Sequence, residues 1–89
     1  MPEIRYAEQF IENAASVRLA TKRQELRSRI EQLAEFPEIG LPKLPESVVR
    51  QYGDNVRKLV VNPFIVIYEI DENDDAVNVL GLMRQRAAW

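Results

Sequence analysis

Basic side chains in and after the apolar runs of the last third of the sequence are the groups most able to do chemistry. Arg57 and Lys58 stand in the run at residues 56–61, and two arginines follow the last run. Guanidinium and ammonium groups stabilise phosphate charge and contact acidic partners. The catalytic residues, if there are any, stay unknown at this point, and their candidates are Arg84, Lys58 and Arg57. The candidate residues for binding a target or partner protein are Arg57, Lys58, Arg84, Arg86 and the aromatic Trp89.

Each candidate also has a purely structural explanation. Arg57 can pair with a carboxylate on the neighbouring strand, such as Glu69, and an exposed pair of this kind contributes only about 0.2–1 kcal/mol. Lys58 can be a solvated sheet residue without a phosphate contact. The arginines after the last run can form a solvated tail, and the large apolar area of Trp89 favours its burial.

The residue types that are missing narrow the chemistry. The chain has no cysteine and no histidine. Disulfides, thiol chemistry, the commonest metal ligand and the usual proton shuttle near neutral pH are therefore excluded. We expect neither a metal site nor a cofactor, and any catalysis would depend on carboxylate, lysine, arginine or tyrosine side chains.

Length and composition favour a single domain over residues 1–89. A chain of 89 residues with 46% hydrophobic content closes one modest core, and two domains would each bury too little area to offset chain entropy. The apolar runs are far shorter than the roughly 20 residues of a membrane span. The N-terminus also lacks the pattern of a signal peptide. We therefore expect a cytoplasmic protein with no membrane association.

The charge distribution gives little support to nucleic-acid binding. Residues 71–75 contain four of the 14 acidic residues, and the chain has 12 basic residues and a net charge of −2. The rest of the chain is therefore only mildly basic. Proteins that bind nucleic acids usually concentrate basic residues on one face.

The N-terminal half of the sequence predicts a short edge strand at residues 3–6, followed by helices. No proline or glycine occurs between Glu3 and Phe36. A single helix over residues 7–35 would reach roughly 40 Å, which is too long for so small a domain. We therefore place a break between residues 13 and 21.

The ends of the second predicted helix follow from local signals. Ser16 or Thr21 is expected to cap its start, since Thr21 and Gln24 have the spacing of a capping box. Its end is expected at Phe36, because a residue before proline is pushed out of helical geometry. Residues 37–54, rich in proline and glycine, then form a long connection.

Three consecutive strands are predicted in the C-terminal half, at residues 56–61, 64–70 and 76–83. The acidic segment at residues 71–75 forms a hairpin turn, because Asn and Asp accept turn geometry. The middle strand is apolar on both faces over its first half, as a central strand is. Counting alternate residues along the last strand puts Arg84 and Arg86 on one face, opposite to Val77. The helices cover one face of this sheet. The other face either stays open for another chain or is covered by the connection at residues 37–54, and the sequence leaves both possibilities open.

The order of these elements and several motifs resemble the RelE/ParE superfamily of bacterial toxins. The most specific pieces are LAEFPEIG at residues 33–40, VRKLVV at residues 56–61 and NPFIVIYEI at residues 62–70. The resemblance spans nearly the whole chain. It implies an α+β fold of the order β-α-α-β-β-β, in which a short N-terminal strand and a helix hairpin pack on a three- to four-stranded antiparallel sheet.

The resemblance also implies a type II toxin–antitoxin system. In such a system an antitoxin lays helical or extended segments over the toxin and holds it inactive. A cognate antitoxin is therefore the expected partner, and a homodimer and a heterotetramer with the antitoxin are both compatible with this expectation. The cellular target implied by the resemblance is the ribosome in RelE-like toxins, which cleave mRNA there, or DNA gyrase in ParE-like toxins.

Individual residues favour the ParE-like branch. By position, Lys58 and Arg84 match a lysine and an arginine of the RelE-like ribonucleases, but Ile65 stands in place of the arginine on the central strand and no tyrosine follows Arg86. Cleavage through a 2′-hydroxyl needs a base, an acid and charge stabilisation in one place. The cations of this chain supply only the last of these.

Three functions therefore stay open from the sequence. The first is a ParE-like toxin, typical of plasmid stabilisation, that acts by binding a protein such as DNA gyrase. The second is a ribosome-dependent mRNA endonuclease that uses Lys58, Arg57 and Arg84. The third is a non-toxic module that keeps only the antitoxin-binding surface.

Overall fold

Along residues 1–85 of the chain, one short strand is followed by three helices and then by a meander of three strands. The computed structural model describes residues 1–85. The elements in this part of the chain are β1 (Glu3–Tyr6), α1 (Glu8–Ala14), α2 (Ala20–Glu31), α3 (Glu46–Tyr52), β2 (Val56–Val61), β3 (Phe64–Asp71) and β4 (Ala76–Arg84). Two short 3₁₀ turns, at Gln32–Ala34 and Pro37–Ile39, lie between α2 and α3.

The strands form one sheet in the order β1-β4-β3-β2. Strands β2, β3 and β4 are antiparallel neighbours, as predicted. Strand β1 is an edge strand, also as predicted, but it runs parallel to β4, with Glu3 opposite Ala76 and Tyr6 opposite Val79. Parallel pairing needs a long connection between the two strands, and the helices together with the meander provide it. The mixed α+β architecture is confirmed, whereas the sheet is not antiparallel throughout.

The helix hairpin breaks where the sequence predicts, between Ala14 and Ala20. The predicted caps are wrong. Leu19 occupies the N-cap position of α2 without a side-chain hydrogen bond, and Thr21 lies inside that helix. The Ser16 hydroxyl instead donates to the Asn13 carbonyl oxygen (2.7 Å) at the end of α1. The Arg23 guanidinium closes the loop between the helices by donating to two of its carbonyl oxygens, at 2.7 and 3.0 Å.

The sheet face that packs against α1 and α2, here called the inner face, contains the larger core. Leu26, Ile30 and Leu33 are buried at the end of the helical stretch, because their spacings of four and three residues place them on one side of a helix. They pack with buried side chains of α1 and the sheet, namely Phe10, Leu59, Val61, Phe64, Val66, Tyr68, Val77, Val79 and Leu82.

The opposite sheet face, here called the outer face, is covered by residues of the connection that was predicted to be a loop. Helix α3 and the residue Leu44 before it place Leu44, Val48 and Tyr52 on this face. The sheet residues beneath them include Ile65 and Ile67, both buried. Of the two possibilities for this face, open or covered by the connection, the structure shows the covered one. The helix was missed because two prolines lie close before it, although Pro45 is compatible with a helix start, where no backbone donor is needed.

A β-bulge changes the side-chain alternation of β4. Tyr68 pairs with Val79 and the preceding residue Ile67 pairs with Gly81, so Leu80 on β4 has no partner on β3. Beyond Leu80 the alternation is reversed, and Arg84 lies on the inner face, opposite Phe64. The sequence count that placed Arg84 and Val77 on different faces is therefore wrong. Arg86 and Trp89 lie outside the described residues.

Candidate functional site

Arg57 is held by the chain itself. It stands opposite Tyr68 on the inner face, and its Nη1 donates to the Gly40 carbonyl oxygen at 2.9 Å and lies 3.5 Å from that of Glu38. The alternative pair with Glu69 does not form, because strand alternation places Glu69 on the outer face, where the amide of Asn78 donates to it at 3.2 Å. Arg57 is therefore committed to an internal structural contact.

The contact of Arg57 is one of several that fasten residues 37–41, here called the strap, to the sheet. The buried Tyr68 hydroxyl accepts from the Gly40 N–H (2.9 Å) and donates to the Pro37 carbonyl oxygen (2.7 Å). Leu41 and Lys58 exchange two backbone hydrogen bonds, each of 2.9 Å. Burial raises the pKa of Tyr68, a shift opposed by the hydrogen bond from Gly40. The strap therefore closes part of the β2 edge, which would otherwise expose unpaired backbone groups.

Lys58 and Arg84 lie on opposite faces of the sheet. Lys58 is opposite Ile67 on the outer face. It lines a mainly apolar groove of about 590 Å³ formed with Leu41, Pro42, Lys43, Leu44 and Pro45. Arg84, opposite Phe64, is on the inner face. A small ligand on one side of the sheet can therefore contact only one of these two cations.

The Arg84 guanidinium lies over an aromatic ring. Its central carbon is 5.4 Å from the centroid of the Phe64 ring, a cation–π arrangement that orients the side chain and leaves its N–H donors available. Asn13 and Ser16 of the helix hairpin line the same small cavity, of about 190 Å³. Among residues 1–85, no carboxylate forms an ion pair with Arg84. The position suits contact with a polar or acidic group of another molecule.

The three candidate catalytic residues are therefore not brought together. Arg57 is bound to the strap, and Lys58 and Arg84 face away from one another. Within the described part of the chain, no group of three or more acidic residues could hold a metal ion. None of its helices is long and apolar enough to cross a bilayer.

A mainly apolar groove lies between α1 and α2 near the inner face, and it was not predicted. Its volume is about 550 Å³, and Phe10, Leu26 and Ile30 are among the residues that line it. These three side chains are at most 6% exposed. At its rim Ile11 is 57% exposed and Tyr6 is 41% exposed. We call this surface the hairpin groove.

Aromatic and charged residues shape the rim of the hairpin groove. The rings of Tyr6 and Phe10 have centroids 5.5 Å apart and are tilted by 38°. Arg27 and Glu31 lie beside Tyr6 and place one charge of each sign at the rim. Burial raises the pKa of Tyr6, the charge of Glu31 raises it further, and the charge of Arg27 lowers it. Such a surface fits an amphipathic protein segment with apolar anchors and charged flanks.

The spacing of apolar residues on the two helices indicates this groove, but only the strands were considered as a possible site. Phe10 and Ala14 are four residues apart on α1, and Leu26 and Ile30 are four apart on α2. Two such stripes on adjacent antiparallel helices face each other. The exposure of Ile11 depends on how the hairpin packs, and no local pattern reveals it.

Comparison with known proteins identifies the family. Residues 4–89 match the family described as the ParE toxin of the type II toxin-antitoxin system, parDE. This chain belongs to the ParE toxin family. The resemblance to the RelE/ParE superfamily is confirmed, and the protein is a type II toxin–antitoxin toxin of that superfamily. No curated protein matches its sequence.

Solved structures with the same fold come from the same superfamily. A chain of the RelBE2 toxin–antitoxin complex of Mycobacterium tuberculosis gives a TM-score of 0.76 at 14% identity, over 94% of this chain and 99% of that one. A chain of the intact Escherichia coli RelBE complex gives 0.72 at 15% identity, over 94% and 96%. A chain of the RelB–RelE complex of Methanococcus jannaschii gives 0.63 at 14% identity, over 93% and 92%. At these identities the similarity shows that the ParE family member shares their fold.

Proposed function

We propose that this ParE family member acts by binding a protein target, DNA gyrase, and not by cleaving RNA. In this proposal it is a cytoplasmic toxin of a plasmid-stabilising system and is neutralised by a cognate antitoxin. The family match supports the toxin class. The observation that carries the mode of action is the placement of Lys58 and Arg84 on opposite sheet faces, with Arg57 engaged by the strap.

This placement matters because RNA cleavage is geometrically demanding. Attack by a 2′-hydroxyl requires a base, an acid and charge stabilisation around one phosphate. Arginine stays protonated and cannot readily act as the base. Binding a protein requires no such convergence, and cations on separate faces can still contribute to one extended interface.

We assign the hairpin groove to the antitoxin. The groove has buried apolar side chains at its bottom and the exposed apolar residue Ile11 at its rim. Both can contact the apolar side chains of a helix bound in the groove. Arg27 and Glu31 would pair with charges of opposite sign on the bound segment. The structures with the same fold include complexes described as toxin–antitoxin complexes, which supports a protein partner of this kind.

We assign Arg84 to contact with the target. It is exposed, oriented by Phe64 and without a carboxylate partner among residues 1–85. Arg18 is a matched control, since it is also an exposed arginine and does not line the Arg84 cavity. Arg84→Ala should weaken target inhibition, whereas Arg18→Ala should leave it unchanged.

The deciding experiment adds the purified chain to DNA gyrase and relaxed plasmid DNA. We expect supercoiling to fall with increasing toxin and to recover when the antitoxin, sought in the neighbouring reading frame, is added. The same preparation is added to a translation reaction, in which mRNA should stay intact. Growth arrest with unaffected gyrase would overturn the proposed target, and mRNA cuts at codon positions would support the endonuclease. Expression without antitoxin at no cost to growth would support the non-toxic module.

A further inference from the structure

The outer face of the sheet is covered by a segment with few attachments. Residues 42–53, here called the flap, contain the seven-residue helix α3. They contact the sheet through the side chains of Leu44, Val48 and Tyr52. Val48, 3% exposed, is the only one of these three that is fully buried. The flap is therefore held by a small apolar contact.

Within residues 1–85, the flap is not fastened to the sheet by polar contacts. In the described chain, no hydrogen bond or ion pair joins residues 42–52 to the sheet. Besides the bonds within α3, the backbone N–H groups of Val48 and Val49 donate to the carbonyl oxygen of Pro45, and Gly53 donates to that of Val49. The Arg50–Glu46 ion pair (2.8 Å) also lies within the flap. The strap, by contrast, is fixed by hydrogen bonds to three residues of the sheet.

Both ends of the flap are suited to act as hinges. The paired backbone bonds of Leu41 and Lys58 fix the chain immediately before residue 42. At the other end Gly53 has φ of 97°, a conformation that side chains rarely adopt, and the space around it is open. A helix of seven residues is not stable by itself in water, so α3 depends on its contact with the sheet.

In the closed position Tyr52 packs tightly against Gly81. The Tyr52 ring lies against the backbone of Gly81, where an added Cβ would meet the hydroxyl oxygen and lie 2.9 Å from the ring carbon Cζ. Burial of this ring raises the pKa of Tyr52. Any side chain at position 81 would therefore push Tyr52 outward and weaken closure.

We propose that the flap opens as a unit about its two ends while the rest of the molecule stays folded. Opening uncovers the outer face around Ile65, Ile67 and Met83. The inner face stays closed, because α1 and α2 bury a larger core. Lys22 of α2 also donates to the Asn62 carbonyl oxygen in the turn between β2 and β3, and the Leu82 N–H of β4 donates to the Asn13 side chain of α1. The two sheet faces therefore differ in local stability.

Thiol labelling tests this proposal directly, because the native chain has no cysteine. Ile67→Cys places a thiol under the flap, and Val66→Cys places one under the helices. Both native side chains are 0% exposed on the same strand. Each labelling rate is measured under native conditions, divided by the rate of the same variant when unfolded, and corrected for the unfolding equilibrium of that variant. By this measure we expect the Ile67→Cys variant to react at least about tenfold faster than the Val66→Cys variant. Equal normalised rates, whether fast or slow, would overturn the proposal.

A second variant and a label-free measurement complete the test. Gly81→Ala in the Ile67→Cys background should raise the labelling rate several-fold further, because it displaces Tyr52. In the unmodified chain, amide hydrogens of α3 should exchange without global unfolding, whereas those of α2 should exchange only with it. Equal protection of α3 and α2 would contradict the opening. None of these measurements needs antitoxin or gyrase, so their outcome is independent of the proposed function.

Discussion

Arg57 donates a hydrogen bond to the carbonyl oxygen of Gly40 at 2.9 Å. This bond gives Arg57, one of the three candidate catalytic residues, a structural role in the fold. The bond connects β2 to the strap, which Tyr68 holds from the neighbouring strand. The ParE family member therefore uses a cation on its sheet to fix a loop.

Arg57→Ala should lower stability without removing toxicity. Loss of a partly buried, charged hydrogen bond is expected to lower the free energy of unfolding by about 1–2 kcal/mol. Urea denaturation measures the change, and growth arrest on induction measures the toxicity. The exposed Arg18→Ala should change stability by less than about 0.5 kcal/mol. A stable Arg57→Ala protein that no longer arrests growth would show that Arg57 contacts the target.

Gly40→Ala should destabilise the protein more than Gly53→Ala does. A Cβ at position 40 would lie 2.6 Å from the ring carbon Cε1 of Tyr68 and 2.8 Å from the Lys58 carbonyl oxygen, and such overpacking costs about 1–3 kcal/mol or more. At Gly53 the space is open, so only backbone strain of about 1–3 kcal/mol applies, without the clash with a backbone carbonyl that Gly40→Ala adds. Denaturant midpoints at equal slope compare the two variants. The reverse order would mean that the strap is not closely packed on Tyr68.

Stability should fall above pH 10. Burial raises the pKa of Tyr6, Tyr52 and Tyr68 above the ordinary value of 10.0. The unfolded chain therefore releases these protons at lower pH than the folded chain, so the stabilisation is complete below pH 10 and is lost as pH rises through the folded values. The free energy of unfolding measured against pH should show this decline.

Tyr68→Phe separates the contribution of the buried tyrosine. It removes one titrating group and leaves the Gly40 N–H without its partner, which should cost about 1–3 kcal/mol at neutral pH. The decline above pH 10 should become shallower than in the parent. An unchanged decline would assign the pH dependence to the other tyrosines.

Ile11→Lys should weaken antitoxin binding, whereas Leu19→Lys should not. Both native residues are exposed apolar side chains of the helix hairpin, at 57% and 68% exposure, but only Ile11 lines the hairpin groove. Loss of a buried aliphatic contact of about 1.5–3 kcal/mol corresponds to about a tenfold to hundredfold weaker Kd. Titration calorimetry with the purified antitoxin measures both variants, and equal losses would place the antitoxin elsewhere.

Local chemistry made much of the fold predictable. The three strands of the meander begin where the sequence predicts and end within one residue of the predicted positions, because β-branched runs are bounded by an Asn-Pro turn and by the acidic turn. The break in the helix hairpin follows from length alone. The parallel pairing of β1 with β4 joins residues more than 70 positions apart, and no local pattern reports such a contact.

The candidate site was less predictable for the same physical reason. The strap depends on a tyrosine hydroxyl and a guanidinium reaching backbone carbonyl oxygens some 17 to 31 residues away. The hairpin groove depends on how two short helices pack. Side-chain alternation assigned the faces of β3 correctly, but it failed on β4, where the pairing contains an irregularity between Ile67 and Tyr68.

The single additional residue at Leu80 decides which cations can act together. If residues 79–84 alternated strictly, with Leu80 paired and no bulge, Arg84 would lie on the side of the sheet that carries Lys58, and a guanidinium and an ammonium group would share one surface. Loss of the bulge with every residue retained would therefore exchange two arrangements of positive charge, whereas deletion of Leu80 itself would leave Arg84 opposite Phe64. For this chain, a match of Arg84 to an arginine of another protein by sequence position alone therefore does not fix the face of the sheet on which Arg84 lies.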